Sequence, residues 1–214
     1  MKQIFLSALV ATFCLSTSAA AKDPSDVHPQ KPSTILEELR RDAHKNLSHQ
    51  QKEKLSHEVL DSLFGKLHNA KSKQVAILLA NAIWQIWSRS GSPTADLLLV
   101  QGERAMLAGN QRIAISILST VIDQYPDFVE ARNKRATAYF LAFDYDNSIS
   151  DINEVLKREP RHFGALSGLG LIYHRLGKNK KALASFRRAL AIHPFLGDAQ
   201  KAVKSLAGDV EQDI

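Results

Sequence analysis

Cysteine is almost missing from these 214 residues, occurring once at Cys14. A single thiol excludes a disulfide scaffold and any zinc site built on paired cysteines. Ten glycines and seven prolines are too few for a fibrous or low-complexity chain. No G-x-S-x-G, no glycine-rich phosphate loop after a strand and no H-E-x-x-H occurs, so the motifs of hydrolase, nucleotide and zinc-protease chemistry are lacking. What is present is ordinary for a globular protein, with 44% hydrophobic and 23% charged residues.

The amino terminus has the layout of an export signal. Lys2 gives the positive start, Ile4 to Leu15 the apolar stretch, and Thr17-Ser18-Ala19-Ala20-Ala21 the small-residue cleavage site. The apolar stretch is shorter than the roughly 20 residues a helix needs to span a bilayer. Phe13 before Cys14 argues against a lipoprotein anchor. Residues 1–21 are thus expected to be a cleaved signal peptide and the mature protein to be periplasmic. Removing 21 of 214 leaves 193 residues without cysteine, which suits an oxidising compartment. Residues 22–33, with Pro24, Pro29 and Pro32, read as a flexible linker. Thr34 and Glu37 form a capping-box pattern that opens a leading helical segment, 34–60, with Ile35, Leu36, Leu39 and Ala43 on its apolar side.

The decisive pattern is an internal period. Pro126, Pro160 and Pro194 stand 34 residues apart. Upstream of Pro194 run Leu166-x2-Leu169-Gly170-x2-Tyr173, Ala182-x3-Phe186 and Ala189. These residues resemble a tetratricopeptide repeat, with Leu166 where tryptophan is usual. The same register gives columns Ala80/Ala114/Ser148/Ala182, His68/Gly102/Ala136/Gly170 and Trp84/Leu118/Ile152/Phe186. Small residues belong where two helices cross closely, large apolar ones between successive units, and proline after a helix has ended. Four units follow, 61–94, 95–128, 129–162 and 163–196, the first degenerate because His68, Lys71 and Ser92 depart from the pattern. Residues 197–207 read as a capping helix and 208–214 as an acidic tail. The predicted fold is an all-α, right-handed tetratricopeptide-type helical solenoid.

No catalytic constellation emerges, and no enzyme activity, cofactor or metal is expected. His28, His44, His49 and His57 are spaced 16, 5 and 8 residues apart, which puts no two on adjacent turns of one helix face. Trp84-x2-Trp87 falls in core columns and reads as packing rather than as a binding box.

The resemblance implies a protein or peptide partner held on a concave face lined by the first helix of each unit. By register that face holds Glu103, Met106 and Leu107, then Asn133, Thr137, Phe140 and Leu141, then Ser167, Leu171, His174 and Arg175. The set departs from the carboxylate-clamp subfamily, whose groove carries lysine, arginine and asparagine. Only Asn133 and Arg175 match in type, and no lysine does, so an apolar segment is the expected ligand. The helix after Thr34 is an alternative, intramolecular cover for part of this face.

Positive charge is uneven. The net charge is +6, yet residues 161–204 hold nine Lys or Arg and one acid, Asp198. Lys178, Lys180, Lys181, Arg187 and Arg188 are expected to form a basic ridge, solvated or facing an anionic membrane or acidic partner. Nucleic acid is not expected, since no aromatic residues interleave with the charges.

Overall fold

The computed structural model describes residues 48–212. The signal, the linker and the segment from Thr34 to Leu47 lie outside the described residues. Nine α-helices occur among the described residues: α1 His49–His68, α2 Lys73–Trp87, α3 Pro93–Leu107, α4 Gln111–Gln124, α5 Val129–Leu141, α6 Tyr145–Arg158, α7 Phe163–Arg175, α8 Asn179–Ile192 and α9 Gly197–Gln212. No strand is present among the described residues, and no helix there is long and apolar enough to cross a membrane. The fold is an all-α helical solenoid in which α3–α4, α5–α6 and α7–α8 are successive antiparallel pairs and α9 closes the far end against α8.

Local chemistry sets the helix limits. Ser48 and Gln51 cap α1 reciprocally, and the Ser72 hydroxyl accepts the Val75 N–H at the start of α2. Ser92 caps α3 with Pro93 in the first turn, where its missing N–H costs nothing. The reversals inside the three pairs fall at Gly109, Phe143 and Gly177, all with positive φ. Glycine adopts that backbone freely; Phe143, at φ 61°, does so under strain.

The spacing of small and large residues explains how each pair closes. A Cβ on Gly102 would stand 2.8 Å from Leu118 Cγ, and one on Gly170 would stand 2.9 Å from the Phe186 ring. In the middle pair the third member of that column, Ala136, is buried and its carbonyl accepts the Ser148 hydroxyl at 2.7 Å. The Asp151 carboxylate takes two 2.8 Å bonds from Arg135, and Arg135 also donates to Ser119 at 3.0 Å, which ties α6 and α4 to α5.

The hairpin α1–α2 is built differently. The position between residues 60 and 61, expected to divide leading segment from first unit, falls inside α1. His68 occupies the column that is glycine at 102 and 170, so Trp84 has no notch on its own partner helix. His68 Nδ1 instead bonds the carbonyl of Ala191 at 2.8 Å, and α1 lies against α8. Leu60, Phe64, Ile83 and Trp87 form one core cluster with Phe163, against which Ile192 and Phe195 also pack. The hairpin therefore packs on the last pair of the solenoid.

Candidate peptide-binding groove

The first helices α3, α5 and α7 lie side by side, α5 in the middle. Between α5 and α7 opens a cavity of about 230 Å³. Its walls are Asn133, Thr137, Phe140 and Leu141 from α5 and Gly164, Gly168 and Leu171 from α7, with Ile152 and Ile172 beneath. The two glycines arise from the same sequence stretch that keeps α7 slim. A Cβ on Gly168 would touch Ile152 at 3.6 Å. Leu141 and Leu171 are 42% and 39% exposed, so the cavity has an apolar rim open to solvent.

The structure brings together five of the eleven predicted groove residues: Asn133, Thr137, Phe140, Leu141 and Leu171. The others are placed differently. Glu103 turns to Lys134, 2.8 Å away. Met106 is half-buried, and Leu107 stands 88% exposed. The buried Ser167 hydroxyl has no hydrogen-bond partner. His174 Nδ1 meets the Asn179 side-chain oxygen at 3.2 Å, and Arg175 is exposed.

One end of the groove is polar and closed. Glu130 is fully buried, with Lys134 at 3.3 Å, His162 Nε2 at 3.2 Å and the Asn133 amide donating at 3.3 Å. His162 Nδ1 accepts the Ala165 N–H at 3.1 Å, which leaves Nε2 to carry the proton donated to Glu130. Burial pulls the Lys134 pKa down, but the carboxylates of Glu130 and Glu103 outweigh it and leave the value raised. Such a group satisfies a buried carboxylate without exposing charge to the apolar cavity.

Two aromatic side chains of α2 seal this end. Trp87 stacks on His162 with ring centroids 4.0 Å apart. Trp84 is half-buried, and its ring stands 2.7 Å from where a Cβ on Gly164 would be. The Lys134 ammonium lies 5.4 Å from the Trp84 ring centre. Trp87 thus packs in the core, and Trp84 packs partly buried against the same cluster with its ring edge at Gly164. Sequence reasoning missed Glu130, Lys134, His162 and Gly164. The available signal was His162, which stands between Phe128 and Leu196 in a column that begins with Thr94.

The basic residues of the last pair point away from this system. Lys178, Lys180, Lys181, Arg187 and Arg188 are exposed, and none forms an ion pair among the described residues. Lys181 lies 5.7 Å from the centre of the Tyr173 ring. Among the described residues no three His, Cys, Asp or Glu side chains gather as metal ligands. His28 and His44 lie outside the described residues.

Known proteins share this pattern. The sequence model of the tetratricopeptide repeat matches residues 142–196. A TPR repeat-containing protein of Rhizobium etli is 38% identical over 148 residues, covering 69% of this chain and 72% of the relative. Among solved structures, the first TPR of Spaghetti (RPAP3), bound to an HSP90 peptide, superposes with a TM-score of 0.53 at 22% identity. That match covers 55% of this chain and 93% of the other. The Sgt2 TPR domain of Aspergillus fumigatus gives 0.53 at 21% identity, covering 57% and 82%. At these identities the structural matches speak to fold alone.

Proposed function

The chain belongs to the tetratricopeptide repeat family, and we propose that it is a non-enzymatic adaptor that holds an apolar segment of a partner protein between α5 and α7. The observation that carries this reading is the open cavity rimmed by Phe140, Leu141 and Leu171, apolar at its base and wide enough for side chains rather than for a whole domain. Asn133 and Thr137 supply polar contacts along one wall. Crosslinked capture with wild type and Phe140→Glu in parallel tests it. Loss of the specific adduct in the variant supports the groove; an unchanged partner set rejects it.

We also propose that this adaptor works in the periplasm, with residues 1–21 removed on export and 22–33 serving as a tether. Support comes from the Lys2, apolar-stretch and Ala19-x-Ala21 layout alone. The mass of the protein recovered from the periplasm tests it: a chain beginning near Lys22 agrees, and an uncleaved cytoplasmic chain does not.

A second reading is favoured by the five exposed, unpaired cations of the last pair, which would dock on an anionic membrane surface. Such docking weakens as salt rises, whereas seating in an apolar groove does not. Reversing the charge of Lys180, Lys181, Arg187 and Arg188 without effect on localisation would remove this reading.

A further inference from the structure

The end of the groove next to the open cavity already holds a ligand, and that ligand is part of the chain. Gly164 lines the cavity and also receives the Trp84 ring, so the cavity begins where Trp84 ends. Lys134, fixed by Glu130 and Glu103, sits over the same ring. The sequence register assigns α2 to a first repeat, with Trp84 facing its own partner helix. His68 fills the place that glycine leaves free in the second and last pairs, and Trp84 uses Gly164 of a distant unit instead.

The ties that hold the hairpin there include, among the described residues, Arg161 to Asp61 at 2.6 Å and His68 to the Ala191 carbonyl at 2.8 Å, both exposed, beside the apolar cluster of Leu60, Phe64, Ile83 and Trp87 with Phe163. Its connection to α3 is the short segment 88–92. Ser90 is anchored by its N–H and hydroxyl to Asp96, and Gly91 has φ +83°. Ser90 and Ser92 also bond to each other across Gly91, so this turn holds the C-terminal end of the hairpin to α3 and leaves the contacts on the last pair as the part that can open.

We infer that the α1–α2 hairpin is a displaceable internal occupant of the groove, and that a full-length partner segment competes with it by offering its own aromatic side chain to the Gly164 notch under Lys134. The inference rests on the groove being the partner's seat, and it adds the partner's chemistry and a built-in competitor. A segment that reaches past the open cavity into the Gly164 notch binds only to the extent that the hairpin is released, so removing the competitor raises its apparent affinity.

Both tryptophans of the protein lie on α2, so intrinsic fluorescence reports the hairpin alone. The test uses the full chain and one probe: a fluorescein-labelled, lysine-flanked peptide of residues 73–87 carrying Trp84→Phe and Trp87→Phe. Peptide binding to the wild type is expected to raise acrylamide quenching of tryptophan. The variant Trp84→Ala/Trp87→Ala is expected to bind the peptide about tenfold more tightly than wild type. Gly164→Leu is expected to raise quenching without peptide and to abolish peptide binding. Equal affinity of wild type and double variant, or unaltered quenching in Gly164→Leu, overturns the inference. Should the variants fail to fold, amide exchange on the wild type decides. Amides of α1 and α2 exchanging about tenfold faster than those of α5 to α8 support a separate opening, and equal protection overturns it. Partner capture by Phe140→Glu reads the open cavity and not the notch, so failure of the groove reading and failure of this inference give different results.

Discussion

Trp87 and His162 stack with their ring planes 7° from parallel and their centroids 4.0 Å apart. The first belongs to α2 and the second caps α7, so this one contact joins the hairpin to the buried Glu130 and to the wall of the groove. Trp87→Ala is expected to cost about 3–5 kcal/mol, the usual loss for a buried aromatic truncated to alanine. The loss should concentrate in the hairpin. Limited trypsin digestion would show first cuts within residues 48–87, with α3 to α9 still resistant. Uniform cutting along the chain would contradict this assignment.

Asp151→Asn is expected to destabilise the solenoid by about 3 kcal/mol, because it leaves Arg135 half-buried without its carboxylate. The amide oxygen can still accept one of the two 2.8 Å bonds, but the other is replaced by an NH2 that faces the guanidinium, and the bond to Ser119 remains. Urea unfolding measures the change. The exposed Glu154, paired with Lys157 and Arg158 on its own helix, serves as the comparison, and Glu154→Gln should leave the midpoint unchanged.

Phe143 is 78% exposed and has φ 61° at a reversal where the neighbouring pairs have glycine. Phe143→Gly removes the left-handed strain and forfeits little burial. The expected gain is about 1 kcal/mol, or roughly 3 °C in Tm. A lower Tm would mean that the Phe143 ring contributes more through Tyr145 than its exposure implies.

Burial lowers the His193 pKa below its ordinary 6.5, since the ring sits edge-on to Phe163 with Nδ1 unpartnered. The unfolded chain therefore takes up this proton first as pH falls. His193 contributes its full stability above about pH 6.5 and loses it progressively below. Chemical denaturation between pH 7.5 and 5 should show the fall, and His193→Phe should flatten it. An unchanged slope in the variant would assign the acid sensitivity to other groups.

Much of the solenoid was legible because its determinants are local and periodic. Gly102 and Gly170 announce the close helix crossings, and Leu118 and Phe186, sixteen residues later, announce what fills them. Half of the groove was legible for the same reason: Asn133, Thr137, Phe140, Leu141 and Leu171 follow from the register. The hairpin was not. Its columns at Ala80, Trp84 and Trp87 follow the register, yet the hairpin packs on the last pair, where His68 bonds Ala191, 123 residues away. Nothing in either local sequence encodes that contact. Glu130 escaped notice because a carboxylate on a helix looks like surface until His162, Lys134 and Asn133 converge on it.

The groove between α5 and α7 is the proposed seat of a partner protein. Site-specific photocrosslinking in living cells tests this most directly, with a benzoyl-phenylalanine probe at position 137 in the groove or at position 188 on the outer face. The account predicts a discrete adduct from position 137 that disappears when Phe140→Glu is added, and none of the same mass from position 188. Adducts from position 188 alone, or a position 137 adduct indifferent to Phe140→Glu, would contradict it.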